Sequence, residues 1–76
     1  MLHVFIHCTS LEWSMRIWSY ITMRGYHMTS SPFGFCQDGV LEMPKDEYFE
    51  LIKDQKTKYI MESKVAVKQV IIEQES

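Results

Sequence analysis

The chain has 76 residues, of which 46% are apolar and 24% charged, and its formal net charge is −2. A chain of this length forms one domain and buries only about 60% of the surface that its unfolded form exposes. We therefore expect one domain over residues 1–76, too small to enclose a deep active-site cavity, with a short flexible tail over residues 74–76. The chain has eight basic and ten acidic residues. It therefore lacks the basic excess that is typical of domains that bind nucleic-acid phosphates.

The cysteine content and the N-terminal residues indicate a reducing compartment. The chain has two cysteines, Cys8 and Cys36, whereas small secreted domains usually carry more because disulfides replace a missing core. Residues 1–6 lack the basic start of a signal peptide, and no apolar run approaches the roughly 20 residues that span a bilayer. The sequence therefore predicts a cytoplasmic protein with two free thiols and no membrane association.

The first two predicted elements are a strand and a helix. Residues 2–8 predict a strand because side chains of a strand alternate between its faces. One face carries Leu2, Val4, Ile6 and Cys8, and the other carries His3, Phe5 and His7. Thr9 and Ser10 are both good N-cap residues, and Thr9-x-x-Glu12 has the spacing of a capping box. Residues 11–24 show helical periodicity. The expected inner stripe of this helix is Leu11, Met15, Trp18 and Ile21, widened by Ile17 and Tyr20. Gly25 is the expected stop.

The middle of the chain predicts a β-hairpin. Asp38-Gly39 is the strongest turn signal, because glycine adopts the positive φ of a type I′ turn without a steric penalty. Residues 33–37 are the expected first arm and residues 40–43 the returning strand.

The last part of the chain predicts a helix and a strand. Pro44 suits the first position of a helix, and we expect that helix to run on to Glu62. The competing interpretation ends it near Gln55 and makes residues 58–62 a strand. Residues 65–73 are rich in β-branched side chains and predict the last strand.

The predicted order is therefore β-α-β-β-α-β. This order resembles the ferredoxin-like arrangement, an α+β fold in which two helices cover one face of an antiparallel sheet. The resemblance concerns the order of elements only and implies no function.

The residues that most often carry catalysis are poorly arranged for it. His3 and His7 stand about 13 Å apart on a strand, too far for one metal ion. His7 and Cys8 point to opposite faces, so His7 is a poor base for a Cys8 nucleophile, and a thiol or metal enzyme built on Cys8, His7 and His27 is the weakest hypothesis. We expect solvated or interface histidines, core cysteines, no enzyme activity, no metal and no cofactor.

The excess of aromatic residues favours a contact surface. The first helix is apolar around most of its circumference, more than so short a chain can bury, so we expect Trp13 or Met23 to be exposed. The leading hypothesis is a small protein-interaction module that inhibits or regulates a protein partner, as viral proteins directed against host factors do, or that forms a homodimer. The expected contact residues are Trp13, Arg16, Tyr20, Met23, Phe33 and Phe35.

The alternative hypothesis is an RNA-binding or single-strand-binding domain. Aromatic side chains on an uncovered sheet stack on bases, and nearby lysines contact phosphates. The expected residues for this function are Phe5, Phe33, Phe35, Lys64 and Lys68. A third interpretation of the same aromatic residues is that the chain's own loop over residues 29–35 covers them.

Overall fold

A computed structural model describes residues 2–28 and 39–74 of the chain. The elements in order are β1 (Leu2–Cys8), α1 (Leu11–Met23), β2 (Val40–Pro44), α2 (Lys45–Leu51), α3 (Gln55–Glu62) and β3 (Val67–Gln74). The expected α+β class and antiparallel sheet are confirmed, but the described order is β-α-β-α-α-β and the ferredoxin-like order is not confirmed. The first arm of the expected hairpin, residues 33–37, lies outside the described residues, as do Phe33, Phe35 and Cys36.

The sheet has the strand order β2-β1-β3, with both pairings antiparallel. On one face, Val4 is opposite Met43 and Ile72, and Ile6 is opposite Leu41 and Val70. This face carries the core, where the β1 residues Val4, Ile6 and Cys8 pack in one cluster with helix residues. The buried helix members of that cluster are Ile17, Ile21, Tyr48, Leu51 and Met61.

The second sheet face is defined by three rows of residues. The β1 row is His3, Phe5 and His7; the β2 row is Val40, Glu42 and Pro44; the β3 row is Gln69, Ile71 and Glu73. The alternation expected for β1 is thus confirmed, with its apolar side toward the helices. A bulge between His7 and Cys8 in the β1–β3 register leaves Lys68 without a direct partner on β1.

Helix α1 begins at Leu11 as expected, and its N-cap is the second of the two expected candidates. Ser10 is the N-cap, and its Oγ accepts the backbone N–H of Trp13 at 3.1 Å. The Thr9 hydroxyl instead donates to the carbonyl oxygen of Val65. Thr9 therefore joins the start of α1 to the turn before β3, and the expected Thr9–Glu12 capping box is wrong. Gly25 has φ +85°, which confirms its expected role as the stop.

The buried stripe of α1 also differs from the expected one. Ser14, Ile17 and Ile21 are its buried residues, while Leu11 and Met15 are 49% and 41% exposed. Ser14 is tolerated there because its hydroxyl donates to the Leu11 carbonyl oxygen at 2.6 Å. Ser14 therefore occupies a core position, because its hydroxyl has a hydrogen-bond acceptor within its own helix. Hydrophobicity alone predicted apolar residues at the buried positions of α1.

The expected long helix over residues 44–62 is wrong, because it is divided into α2 and α3. Pro44 is the last residue of β2 and the N-cap of α2, one position earlier than expected. Asp54 ends the continuity by capping α3, since its carboxylate accepts the Thr57 backbone N–H at 3.1 Å. Residues 58–62 are helical, so their interpretation as a strand is wrong as well.

The last strand is shifted toward the C-terminus. Residues 64–66 form a turn, in which the Val67 N–H donates to the Ser63 carbonyl oxygen at 2.8 Å, and β3 starts at Val67. Gln74 belongs to β3 and is opposite Leu2. Residues 75 and 76 lie outside the described residues, so the flexible tail stays a prediction.

Candidate functional site

The α1 outer face is the largest group of expected contact residues that the structure brings together. Trp13, Arg16, Tyr20 and Met23 follow one another at helical spacing along the side of α1 that flanks its buried stripe. Met15 and Ser19 lie beside them and complete a shallow depression with Arg16, Tyr20 and Met23. We call these six residues the α1 outer face.

Two methionines supply the accessible apolar area of the α1 outer face. Met23 is 85% exposed and Met15 is 41% exposed. The expectation that Trp13 or Met23 is exposed is therefore confirmed through Met23, while Trp13 is half-buried and packs against the core. Flexible methionine side chains adapt to differently shaped partners, which suits a contact surface.

Arginines lie over two of the three aromatic rings of α1, those of Trp13 and Tyr20. The Arg16 guanidinium lies 5.2 Å from the centre of the Trp13 ring and pairs with Glu12 at 2.6 Å. The Arg24 guanidinium lies 3.5 Å from the centre of the Tyr20 ring. Arg16 Nη2 donates to Glu12 and Arg24 Nη1 donates to the Tyr20 carbonyl oxygen at 3.3 Å, and a guanidinium has five N–H donors in all. The surface therefore offers charge-assisted donors beside apolar methionines.

Tyr20 is held in place from below by α3. Its hydroxyl lies 2.9 Å from Thr57 Oγ1, and Thr57 Oγ1 lies 2.9 Å from Asp54 Oδ2. The Thr57 side chain is fully buried. The hydrogen bonds that Asp54 accepts from the Thr57 hydroxyl and, second, from the Thr57 backbone N–H lower the pKa of Asp54 below its usual 3.8. The ring of Tyr20 is thus a fixed part of the α1 outer face.

The second sheet face is less suited to nucleic acid than the sequence predicts. Phe5 is half-buried and is opposite Glu42 on β2 and Ile71 on β3, with Glu73 two residues further along β3. Carboxylates beside a stacking ring repel the phosphates of a bound strand. Lys64 and Lys68 are exposed, but they lie in the turn before β3 and at the bulge.

Of the two environments expected for the histidines, solvated or at an interface, the solvated one is wrong for His3. His3 is only 7% exposed, and its Nδ1 lies 2.9 Å from Glu42 Oε2. His3 lies on the central strand, where Pro44 and Glu73 are opposite it on the two neighbouring strands. The alternation of β1 predicted the face of His3 but gave no sign of this burial.

The structure does not assemble Cys8, His7 and His27 into a thiol or metal site. Cys8 is buried at 2% exposure, as expected for a core cysteine, and His7 points to the other sheet face. The His27 side chain is 86% exposed and contacts Glu47 at 3.2 Å. Across residues 2–28 and 39–74, no three His, Cys, Asp or Glu side chains are grouped as a metal site requires.

Neither the helices of the described residues nor the comparisons with known proteins indicate a function. None of the helices within the described ranges combines the length and the apolar character that crossing a membrane requires. No protein-family model, no curated protein and no solved structure matches the chain.

Proposed function

We propose that the chain is a small non-catalytic protein-interaction module that inhibits or regulates its partner by binding it through the α1 outer face. The observation that supports this proposal is the combination on one helix of exposed Met15 and Met23 with arginine-covered Trp13 and Tyr20. Methionine, arginine and aromatic residues are the types enriched at protein–protein contacts.

The arrangement of this face suits a binding role energetically. Residues that contribute most to binding are large side chains whose positions are fixed before the partner arrives, because little conformational entropy is then lost. Tyr20 meets this requirement through its hydrogen bond to Thr57 and its contact with Arg24. The exposed methionines around it supply apolar area that a partner would remove from water.

The experiment uses variants on the outermost side chains, which the fold does not need. We would immobilise the wild-type chain, Met23→Glu and Arg16→Glu, and quantify by mass spectrometry the proteins that each retains from a lysate. Val65→Glu is the matched control, because Val65 is 68% exposed and lies in the turn before β3. Any candidate partner is then purified and its affinity for all four chains is measured by calorimetry.

We expect a partner that binds the wild-type chain and Val65→Glu equally but binds Met23→Glu and Arg16→Glu at least about tenfold more weakly, the size of effect that a central contact residue typically shows. Partners that bind all four chains equally would contradict the assignment of the α1 outer face. A salt-sensitive electrophoretic shift with single-stranded RNA, lost in Lys64→Glu and Lys68→Glu, would instead favour the nucleic-acid alternative.

A further inference from the structure

The outer edge of β3 is the longest free strand edge in the described part of the chain. Among the described residues β3 pairs with β1 alone, so the backbone N–H and C=O groups on its other side have no strand partner. An edge of this kind is a template for pairing with another strand, and proteins usually blunt it with proline, short length or a bulge. Among the described strands the opposite edge is β2, which has five residues and ends in Pro44.

The edge of β3 is unblunted over most of its length. Val67–Gln74 has eight residues, contains no proline, and has its bulge at Lys68, near the start. Residues 69–74 are therefore left as a regular extended segment. Within it, Ile72 is 45% exposed although it belongs to the sheet face that carries the core.

We infer that this edge binds the same edge of a second copy of the chain, which joins the three described strands of each copy into one continuous antiparallel sheet. Two identical antiparallel strands in one sheet are related by a two-fold axis perpendicular to it, so a residue must lie opposite a residue of the same face. Only pairings centred on a residue of β3 satisfy this condition. The helices of both copies then lie on the same side of the joined sheet.

The side chains of β3 select the pairing centred on Ile71. This register places Val70 opposite Ile72 of the second copy, so the exposed isoleucine gains an apolar neighbour on the core side. It also places Gln69 opposite Glu73 of the second copy, where the amide N–H group can donate to the carboxylate. Centring the pair on Val70 instead would place Gln69 opposite Ile71 and Lys68 opposite Ile72, which leaves polar groups against apolar ones.

The expected dimer is weak. A paired segment of six residues is about 20 Å long, and an interface of this size falls below the roughly 1,200 Å² of buried area that stable complexes reach. Dimer formation should therefore be detected as protein concentration rises from about 10 µM toward about 1 mM, the range of weak association. The surface is separate from the α1 outer face, so the inference does not depend on the proposed function.

Gln69 offers a test in which the fold is left intact, because its side chain is exposed. Gln69→Lys places an ammonium group opposite Glu73 of the second copy, and Gln69→Glu places two carboxylates opposite each other. Each substitution acts at two symmetry-related pairs, and cross-strand charge pairs of this kind change an equilibrium by about two- to thirty-fold for two pairs. Sedimentation velocity over the concentration range measures the dimer dissociation constant for each chain.

We expect the wild-type chain to dimerise, Gln69→Lys to dimerise about two- to thirty-fold more tightly, and Gln69→Glu more weakly by a similar factor. Circular dichroism checks that all three chains are equally folded, and Met23→Glu should leave the dissociation constant unchanged. A wild-type chain that stays monomeric at about 1 mM would overturn the inference. A dimer dissociation constant that neither Gln69 substitution changes, or that Met23→Glu raises, would overturn it as well.

Discussion

The hydroxyl of Thr57 joins α1 to α3, and its removal should destabilise the fold measurably. Thr57 Oγ1 lies 2.9 Å from the Tyr20 hydroxyl and 2.9 Å from Asp54 Oδ2. An ionised carboxylate only accepts hydrogen bonds, so Thr57 donates to Asp54 and accepts from Tyr20. The proposed change is Thr57→Val, which deletes this hydroxyl and nearly preserves the shape of the side chain.

The expected loss of stability arises because the Tyr20 hydroxyl loses its acceptor, Thr57 Oγ1. The hydrogen bond between Tyr20 and Thr57 is part-buried, and the loss of one such bond typically costs about 1 kcal/mol. In a domain of 60–100 residues each kcal/mol lowers the melting temperature by about 4–8 °C. We therefore expect Thr57→Val to lower the melting temperature by at least about 4 °C, measured by calorimetry or by circular dichroism.

Two controls separate the hydrogen bonds from packing. Thr57→Ser keeps the hydroxyl and should recover much of the lost stability, and a double-mutant cycle with Tyr20→Phe isolates the Tyr20–Thr57 contact. The pKa of Asp54, measured by NMR titration, should rise toward its usual 3.8 in Thr57→Val, because the Thr57 hydroxyl is the main cause of its lowering. A Thr57→Val chain with the wild-type melting temperature and the wild-type Asp54 pKa would refute this account.

The lowered pKa of Asp54 also sets a pH dependence. A carboxyl group whose pKa is lowered on folding stabilises the fold above its unfolded pKa, and this stability is lost as the pH falls. The wild-type chain should therefore lose stability on acidification below about pH 4, and Thr57→Val should lose less over the same interval.

Three further predictions concern other elements. Gly39 has φ +73°, and a Cβ there would lie 3.3 Å from the Cys8 carbonyl oxygen, whereas Gly25 has φ +85° and a Cβ there would meet open space. Urea unfolding should show that Gly25→Ala lowers the free energy of unfolding by about 1–2 kcal/mol and that Gly39→Ala lowers it more. Equal losses for the two variants would contradict the close contact at Gly39. Burial, with a smaller contribution from Glu62, raises the pKa of Tyr48; the fold then favours the neutral phenol, so stability should fall as the pH rises above about 10, and Tyr48→Phe should reduce that fall. Ser10→Ala removes the α1 N-cap and should cost about 1 kcal/mol, while Ser10→Asp, which keeps an accepting oxygen, should cost less in the same thermal melts.

The sequence predicted those elements whose local signals agree with their tertiary surroundings. β1 was predicted with its observed bounds because its alternation and its burial coincide. The end of α1 was predicted because glycine at positive φ is a strong local signal. Exposure of Trp13 or Met23 was predicted because α1 has more apolar residues than the chain can cover, and Met23 is the exposed one of the two.

The predictions of helix bounds and of the buried stripe of α1 were wrong where the hydrogen bonds of a polar side chain determine the local structure. Asp54 divides the expected long helix because its carboxylate caps α3, and the Asp54-x-x-Thr57 spacing was a signal that helical periodicity outweighed. Ser14 displaced the expected inner stripe of α1 because its hydroxyl is satisfied by Leu11. The Tyr20–Thr57 hydrogen bond joins residues of two separate helices, so no local pattern could predict that this part of the α1 outer face is fixed.

The central place of β1 has a consequence for how the molecule folds. Both of its ladders join distant parts of the chain, since His7 is opposite Val40 and Leu2 is opposite Gln74. Helices α1, α2 and α3 can begin to form locally, but no strand can pair with its sequence neighbour across a short turn within the described residues. Loop closure must therefore precede both described strand pairings, which slows their formation relative to pairing across a short turn. Before β3 pairs with β1, β2 is the only described strand that can cover an edge of β1. The chain is most prone to aggregation during this stage of folding.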